Sequence, residues 1–352
     1  MWRDDRIQAA IDTTTGFIAA KLAERLKCPI YEMERRFLAS KTYRMLCDPK
    51  TGLYADNILE TADLFLREAA PVFFPQDEST AHSYFKYRSL SDSHIEYTEA
   101  IFEKRELWYS APKDFNDPFD CNLSLNCDGS CDSEIIEATS DMARKLGRNP
   151  SANELASVPE MVKSEQGIAL FSKWQKEYYV DSSVCCFSHL GDSIQMFSYY
   201  ADDHKGVCVE FSFSVLDMPT GISVAQQLFG SARIVPLEVC YQKKFSELNF
   251  FKLSALGPKI LAQNLIGTKA KGWGHEKEFR IFRRQLPAGA VPFAPKILKR
   301  VILGAKTGDK EMERIKGWLK GWPTPVILSK AEADAKSFKL NIRDIETVGG
   351  AH

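Results

Sequence analysis

The sequence predicts an α+β protein in which a helical N-terminal domain precedes a strand-rich domain. Apolar residues keep helical spacing over residues 1 to about 70, and short alternating runs take over from residue 83. A proline-bearing polar stretch, Pro71 to Glu78, separates the two regimes and reads as a linker. The expected domains are therefore 1–78, helices and linker, and 79–352, the α+β part.

In the first domain Ile7, Ile11, Ile18, Leu22 and Leu26 form one helical stripe, and Tyr31 to Leu46 and Ala55 to Glu68 carry weaker ones, with breaks at Pro29 and at Pro49 to Gly52. In the second, Ser83 to Ser89 alternates as a strand, with Tyr84, Lys86 and Arg88 on one face and Phe85 and Tyr87 on the other. A short helix, Tyr97 to Lys104, leads to a strand at Glu106 to Ser110. Ala111 to Asp120 is too rich in Pro, Asn and Asp for regular structure and reads as a shaped loop. Residues 129–180 look like a helical insertion, with a second helix near Gly167 to Tyr179. Val184 to Ser188 is a buried strand, Asp192 to Ala201 a helix, Val207 to Phe211 and Leu237 to Tyr241 strands, and Leu261 to Ile266 a helix. Lys299 to Gly304 is a strand, and Asp309 to Leu319 an amphipathic helix.

The stretch Trp273 to Phe282 carries the densest chemistry. As one strand it would place Glu276, Glu278 and Arg280 on one face, with Phe279 and Ile281 behind on a core.

Composition narrows the function classes. The chain has 352 residues, 44% hydrophobic and 26% charged, with a net charge of −1, which argues against a wholesale nucleic-acid or membrane binder. No apolar run reaches the roughly 18–20 residues of a membrane span, and the opening residues do not read as a signal peptide. A cytoplasmic protein is expected, with its nine cysteines as reduced thiols. Cys121, Cys127 and Cys131 lack the spacing of common zinc sites, so no metal is expected there.

Several motifs together carry a resemblance: Tyr84-Phe85-Lys86-Tyr87-Arg88, Phe115-Asn116-Asp117-Pro118-Phe119-Asp120, Cys186-Phe187-Ser188, Met196 to Asp202, His204 to Phe211, and Trp273 with Glu276 to Arg280. Over residues 83–305 they resemble the bacterial domain-of-unknown-function family 2971. One departure is Phe197-Ser198-Tyr199, where that family usually has Trp-Ser-His. The N-terminal hydrophobic spacing also resembles a small helical domain found beside bacterial ADP-ribosyltransferase toxins.

The order of elements is similar to the core of ADP-ribosyltransferases. That resemblance implies a split, mostly antiparallel sheet, NAD as substrate, and ADP-ribosyl transfer or NAD cleavage by a bacterial toxin or anti-phage effector. It also implies site roles. Glu278 would face the positive charge that develops on the ribose, Ser188 would support it, and Glu276 would be a second acid. A basic residue on the first strand would orient NAD. Arg88 suits this better than Lys86, while strict spacing aligns Tyr87. Tyr199 or Tyr200 would stack on nicotinamide, and Ser110, Asn116, Asp120 and Arg280 complete the expected cofactor set. The acceptor stays open between protein and nucleic acid, and the N-terminal helices would take any protein partner. Two alternatives remain: a magnesium-dependent nuclease using Asp117, Asp120, Glu276 and Glu278, and a non-catalytic sensor.

Overall fold

A computed structural model of the chain describes residues 5–26, 28–55, 57–69, 80–91, 93–122, 125–126, 129–145, 147–169, 181–229, 234–244, 248–255 and 258–350. The expected linker at 71–78, most of the second insertion helix and Cys127 lie outside these residues. The chain divides into two compact units, Met1–Ser83 with Ser212–Arg233, and Tyr84–Phe211 with Ile234–His352. The returning segment Ser212–Arg233, which the sequence reading placed in the second domain, carries Leu216, Val224 and Ala225, and these pack among the N-terminal helices.

The first unit is built on helices α1 (Asp5–Leu26), α2 (Ile30–Leu38), α3 (Lys41–Leu46) and α4 (Ile58–Glu68). The stripe on α1 buries Ile11, Ile18 and Leu22 against Met33, Phe37, Leu46 and Phe65, with Phe37 and Phe65 edge to face at 4.9 Å. The stretch Tyr31 to Leu46 is two helices rather than one. Ser40 breaks it because its hydroxyl accepts the Tyr43 N–H at 3.0 Å and caps α3. The Glu68 carboxylate accepts the N–H groups of Lys41 and Thr42 at 2.7 and 2.8 Å, which places a negative charge on the orphan donors of the same helix end.

The second unit is centred on an eight-stranded sheet, mostly antiparallel. Its strands are β1 (His82–Arg88), β4 (Ser183–Ser188), β5 (Val207–Phe213), β6 (Ile234–Glu238), β10 (Glu278–Arg283), β12 (Leu298–Leu303), β13 (Val326–Ala333) and β14 (Leu340–Val348), in the order β14-β13-β12-β5-β1-β4-β10-β6. Short pairs flank it: β2 (Glu106–Tyr109) with β11 (Gly289–Pro292), β3 (Leu125–Asn126) with β8 (Leu248–Asn249), and β7 (Cys240–Gln242) with β9 (Thr268–Ala270). Strands β13 and β14 are not among the elements expected from the sequence. Much of β14 is exposed and charged, so it offers little apolar alternation to read.

Two features of this sheet position the site. The β10–β4 ladder is registered over six residue pairs, from Glu278↔Ser188 to Arg283↔Ser183, whereas among the described residues β1 and β4 are registered at one pair, Phe85↔Ser188. Beyond that one pair β1 and β4 part, and the Lys86 ammonium fills part of the gap by donating to the Cys186 carbonyl at 2.8 Å. Gly206 is the second feature. A β-carbon there would stand 2.3 Å from the Arg88 carbonyl oxygen, so glycine lets the 201–206 turn close on the end of β1.

The expected single strand from Trp273 to Phe282 is corrected. Residues Lys271–Glu276 form a 3-10 turn, Lys277 takes φ +45°, and the strand begins only at Glu278. Glu276 is therefore not the strand neighbour of Glu278. It reaches the same cluster from the turn. Phe279 and Ile281 are buried, on the opposite face of β10 from Glu278 and Arg280.

Candidate active site

The Ser188–Glu278 pairing puts the ends of β4 and β10 side by side, and the parting of β1 from β4 opens a cavity of about 230 Å3 next to them. By strand alternation Phe85, Tyr87, Cys186, Ser188, Glu278 and Arg280 share one face, while Lys86, Arg88, Cys185 and Phe187 take the other. Lys86 and Arg88 nonetheless line the cavity with Glu278, because it lies where the ladder has opened.

A buried ion cluster forms one wall. Arg280, fully enclosed, uses all five of its N–H groups: the Asp120 carboxylate at 2.6 and 2.7 Å, both Glu278 oxygens at 2.9 Å, and the Ile266 carbonyl at 2.6 Å. Lys269 sits among three carboxylates, Glu276 at 2.5 Å, Glu278 at 3.2 Å and Asp120 at 3.4 Å, and lies 5.0 Å from the Trp273 ring. Burial alone would raise the Glu278 carboxyl, but Arg280 and Lys269 more than reverse this and hold it down at about 2. Burial likewise disfavours the Lys269 ammonium, and the three acids overcome it and raise its proton affinity. Three carboxylates face two cations, so the wall keeps one negative charge in excess.

The two glutamates are held differently. Tyr200, at the end of the helix Ile194–Tyr200, donates its hydroxyl to Glu276 at 2.6 Å, and burial together with that bond raises its own proton affinity. Glu278 has its N–H held by the Tyr241 hydroxyl at 2.8 Å.

Another part of the lining is cationic. Among the described residues Lys86 makes no ion pair, and Arg88 is half-buried with its Nε enclosed and without a hydrogen-bond partner. Burial lowers the proton affinity of both side chains. At the same end Asp202 takes the Leu90 and Ser91 N–H groups at 2.8 and 3.0 Å and the Ser89 hydroxyl at 2.5 Å, pinning the chain immediately after Arg88.

Most of the residues singled out from the sequence meet here. Glu276, Glu278, Ser188, Lys86, Tyr87, Arg88, Ser110, Asn116, Asp120 and Tyr200 all line the cavity. Six expected roles change. Arg280 has no donor left for a cofactor and acts by fixing Glu278 and Asp120. Asp120, expected to bind cofactor, spends both oxygens on Arg280. Tyr199 is 65% exposed beside His275 and does not line the cavity, since one residue along a helix turns a side chain about 100° from Tyr200. Ser188 donates to the Glu276 backbone carbonyl at 2.6 Å, so its support goes to the turn and not to the Glu278 carboxylate. Tyr87 lines the cavity, but its hydroxyl donates to the Leu190 carbonyl at 2.7 Å and accepts the Ser193 N–H at 3.1 Å, which ties down the loop after β4. Asp117, part of the nuclease alternative, accepts the Phe119 N–H within its own turn and lies outside the lining.

Lys269 is not among the site residues expected from the sequence. Its only signal was an imbalance, three carboxylates at Asp120, Glu276 and Glu278 against the single Arg280. With Lys269 and Arg280 occupying these oxygens, no group of three ligating side chains is arranged for a metal ion among the described residues.

Residues 196–281 match the family model described as "Protein of unknown function (DUF2971)". The DUF2971 segment holds Tyr200, Lys269, Glu276, Glu278 and Arg280, which is most of the acidic wall, while Lys86, Arg88, Asp120 and Ser188 precede it. The match is narrower than the 83–305 read from motifs. No curated protein and no solved structure matches the chain. Among the described residues, no helix is long and apolar enough to cross a membrane.

Proposed function

We propose that the cavity binds NAD and breaks its nicotinamide–ribose bond, passing the ADP-ribosyl group to an acceptor or to water. The observation that carries this reading is the register of three adjacent strands. Ser188 on β4 pairs with Glu278 on one side and Phe85 on the other, which gathers Arg88, Ser188 and Glu278, far apart in sequence, at one opening.

The charge layout suits the bond to be broken. Loss of nicotinamide leaves positive charge on the ribose, and an ionised carboxylate next to that carbon lowers the barrier. Glu278, held ionised by Arg280 and Lys269, is preorganised for this task, with Glu276 and the Tyr200 hydroxyl beside it. In the same lining the Arg88 Nε, without a partner among the described residues, suits an anionic pyrophosphate oxygen. At about 230 Å3 the cavity falls below the roughly 300–1,000 Å3 of sites that enclose a whole ligand, so it accepts one end of a dinucleotide while the rest lies along the opening.

The test is incubation of the protein with NAD labelled in the adenylate half, with and without cell extract, following nicotinamide release and label transfer. Nicotinamide release supports the reading. Intact NAD, together with no heat of binding by calorimetry, would overturn it.

A further inference from the structure

We propose that Lys86 is a nucleophilic amine that condenses with an aldehyde bearing a phosphate group, with Arg88 holding the phosphate. This does not depend on NAD cleavage and concerns the cationic wall of the cavity.

A buried lysine normally keeps its proton by pairing with a carboxylate, as Lys269 does with three. Lys86 lines the same cavity and is 8% exposed, yet among the described residues its Nζ meets neutral groups, the Cys186 carbonyl at 2.8 Å, the Cys185 Sγ at 3.5 Å and the face of the Phe187 ring at 5.2 Å. The titratable groups that face it are Arg88 on its own strand and Cys185 and Cys186 on β4. Burial is the main influence and disfavours the ammonium, and the Arg88 charge acts in the same direction, while the cysteines only partly offset them. An amine placed this way is neutral more often than a surface lysine, and desolvation beside a second cation is a recognised route to a nucleophilic lysine.

Arg88 supplies the selectivity. It lies two residues along on the same face of β1, and its buried Nε has no partner among the described residues. A guanidinium with free donors grips a phosphate in a fixed geometry, and a phosphate is what would hold a small aldehyde against the amine. The covalent step balances without an oxidant. The nitrogen lone pair adds to the aldehyde carbon, the two amine protons leave with the carbonyl oxygen as water, and a carbon–nitrogen double bond remains.

The experiment treats the full chain with pyridoxal 5′-phosphate at neutral pH, reduces the imine with borohydride to a stable secondary amine, and maps the labelled lysines by mass spectrometry. Lys86 should be labelled first, about tenfold or more ahead of the surface lysines, since Arg88 would hold the reagent's phosphate beside an amine that burial keeps neutral more often. Its lead should shrink as the pH is raised toward 10, where the surface lysines also become neutral. Pyridoxal without the phosphate, and the variant Arg88→Gln, should each remove most of the lead. Label spread over surface lysines with Lys86 unmodified would overturn the proposal, as would a Lys86 rate indifferent to both the phosphate and Arg88. The wild-type map alone decides the first point, and circular dichroism of Arg88→Gln shows that any loss there is not unfolding.

Discussion

The Ser188 hydroxyl donates to the backbone carbonyl of Glu276 at 2.6 Å, although Ser188 is the residue paired across the ladder from Glu278. The same oxygen accepts the Leu190 N–H at 3.1 Å. Ser188 thus ties the turn carrying Glu276 to the chain leaving β4, and so brings an acid from outside the strand into the cluster. Ser188→Ala would leave a buried carbonyl and a partly buried N–H without a partner, at a cost of about 1–3 kcal/mol. Chemical denaturation should show that loss. In the NAD reading, the change should disturb groups that depend on Glu276, such as Tyr200, before it disturbs the Glu278–Arg280 pair.

Lys269 is the residue whose loss should be felt most widely. Lys269→Met keeps much of the length but leaves Asp120 and Glu278 with Arg280 alone and Glu276 with no cation partner among the described residues. Breaking a buried pair by removing one partner costs about 3–5 kcal/mol. Thermal melting should fall accordingly. Because Lys269 sits over Trp273, indole fluorescence should change in the native state as well.

The same cluster sets an acid limit. Glu278 is held at about 2 in the fold against an ordinary 4.5. A carboxyl lowered on folding contributes stability that is complete above its ordinary value and disappears as pH falls through the folded one. Stability should therefore decline between about pH 4.5 and pH 2, by up to about 3 kcal/mol from this group at 1.36 kcal/mol per unit. Glu278→Gln should flatten that part of the denaturation profile measured against pH.

Gly206→Ala tests the closure over β1. The added methyl would lie 2.3 Å from the Arg88 carbonyl oxygen and 2.9 Å from the Ala201 α-carbon, both backbone atoms that cannot rotate aside. Overpacking of this kind costs about 1–3 kcal/mol. Beyond the stability loss, phosphate-dependent labelling of Lys86 should weaken, since Arg88 is carried by the strand end that must shift.

How much of this was legible in the sequence follows from the range of the interactions. Helical stripes and alternating runs are local signals, so Ile11, Ile18 and Leu22 on α1, the helix Asp309–Leu319 and the burial of Phe279 and Ile281 could be read directly. The motifs around Lys86, Asn116, Ser188 and Glu276 also carried residue types suited to a site, and these gather around one cavity. What could not be read was set by long-range partners. The turn at Lys271–Glu276 depends on Ser188, 88 positions from Glu276, and the occupation of Arg280 depends on Asp120, 160 positions away. Lys269 left only the indirect signal of surplus acids, because a lysine's burial shows only when its acids are assembled around it. The return of Ser212–Arg233 to the helical unit rests on Val224 and Ala225, which in sequence look like part of any short apolar run.

Glu278→Gln is the decisive substitution for the proposed chemistry, and its two effects must be measured apart. The amide has the size of the carboxylate and keeps an oxygen for Arg280, but its NH2 group would face the Arg280 and Lys269 donors that now meet the second oxygen. A stability loss of about 3 kcal/mol or more is expected from this mismatch. If the variant is folded by circular dichroism, NAD should still bind, because Arg88 and the cavity opening are untouched. Nicotinamide release should fall by orders of magnitude, because the charge that stabilises the ribosyl cation is gone while ground-state contacts remain. Calorimetric binding close to wild type with turnover lost would be the signature of a transition-state role. Binding and turnover lost together would instead mark Glu278 as a structural member of the ion cluster, and undiminished turnover would remove it from the chemistry altogether.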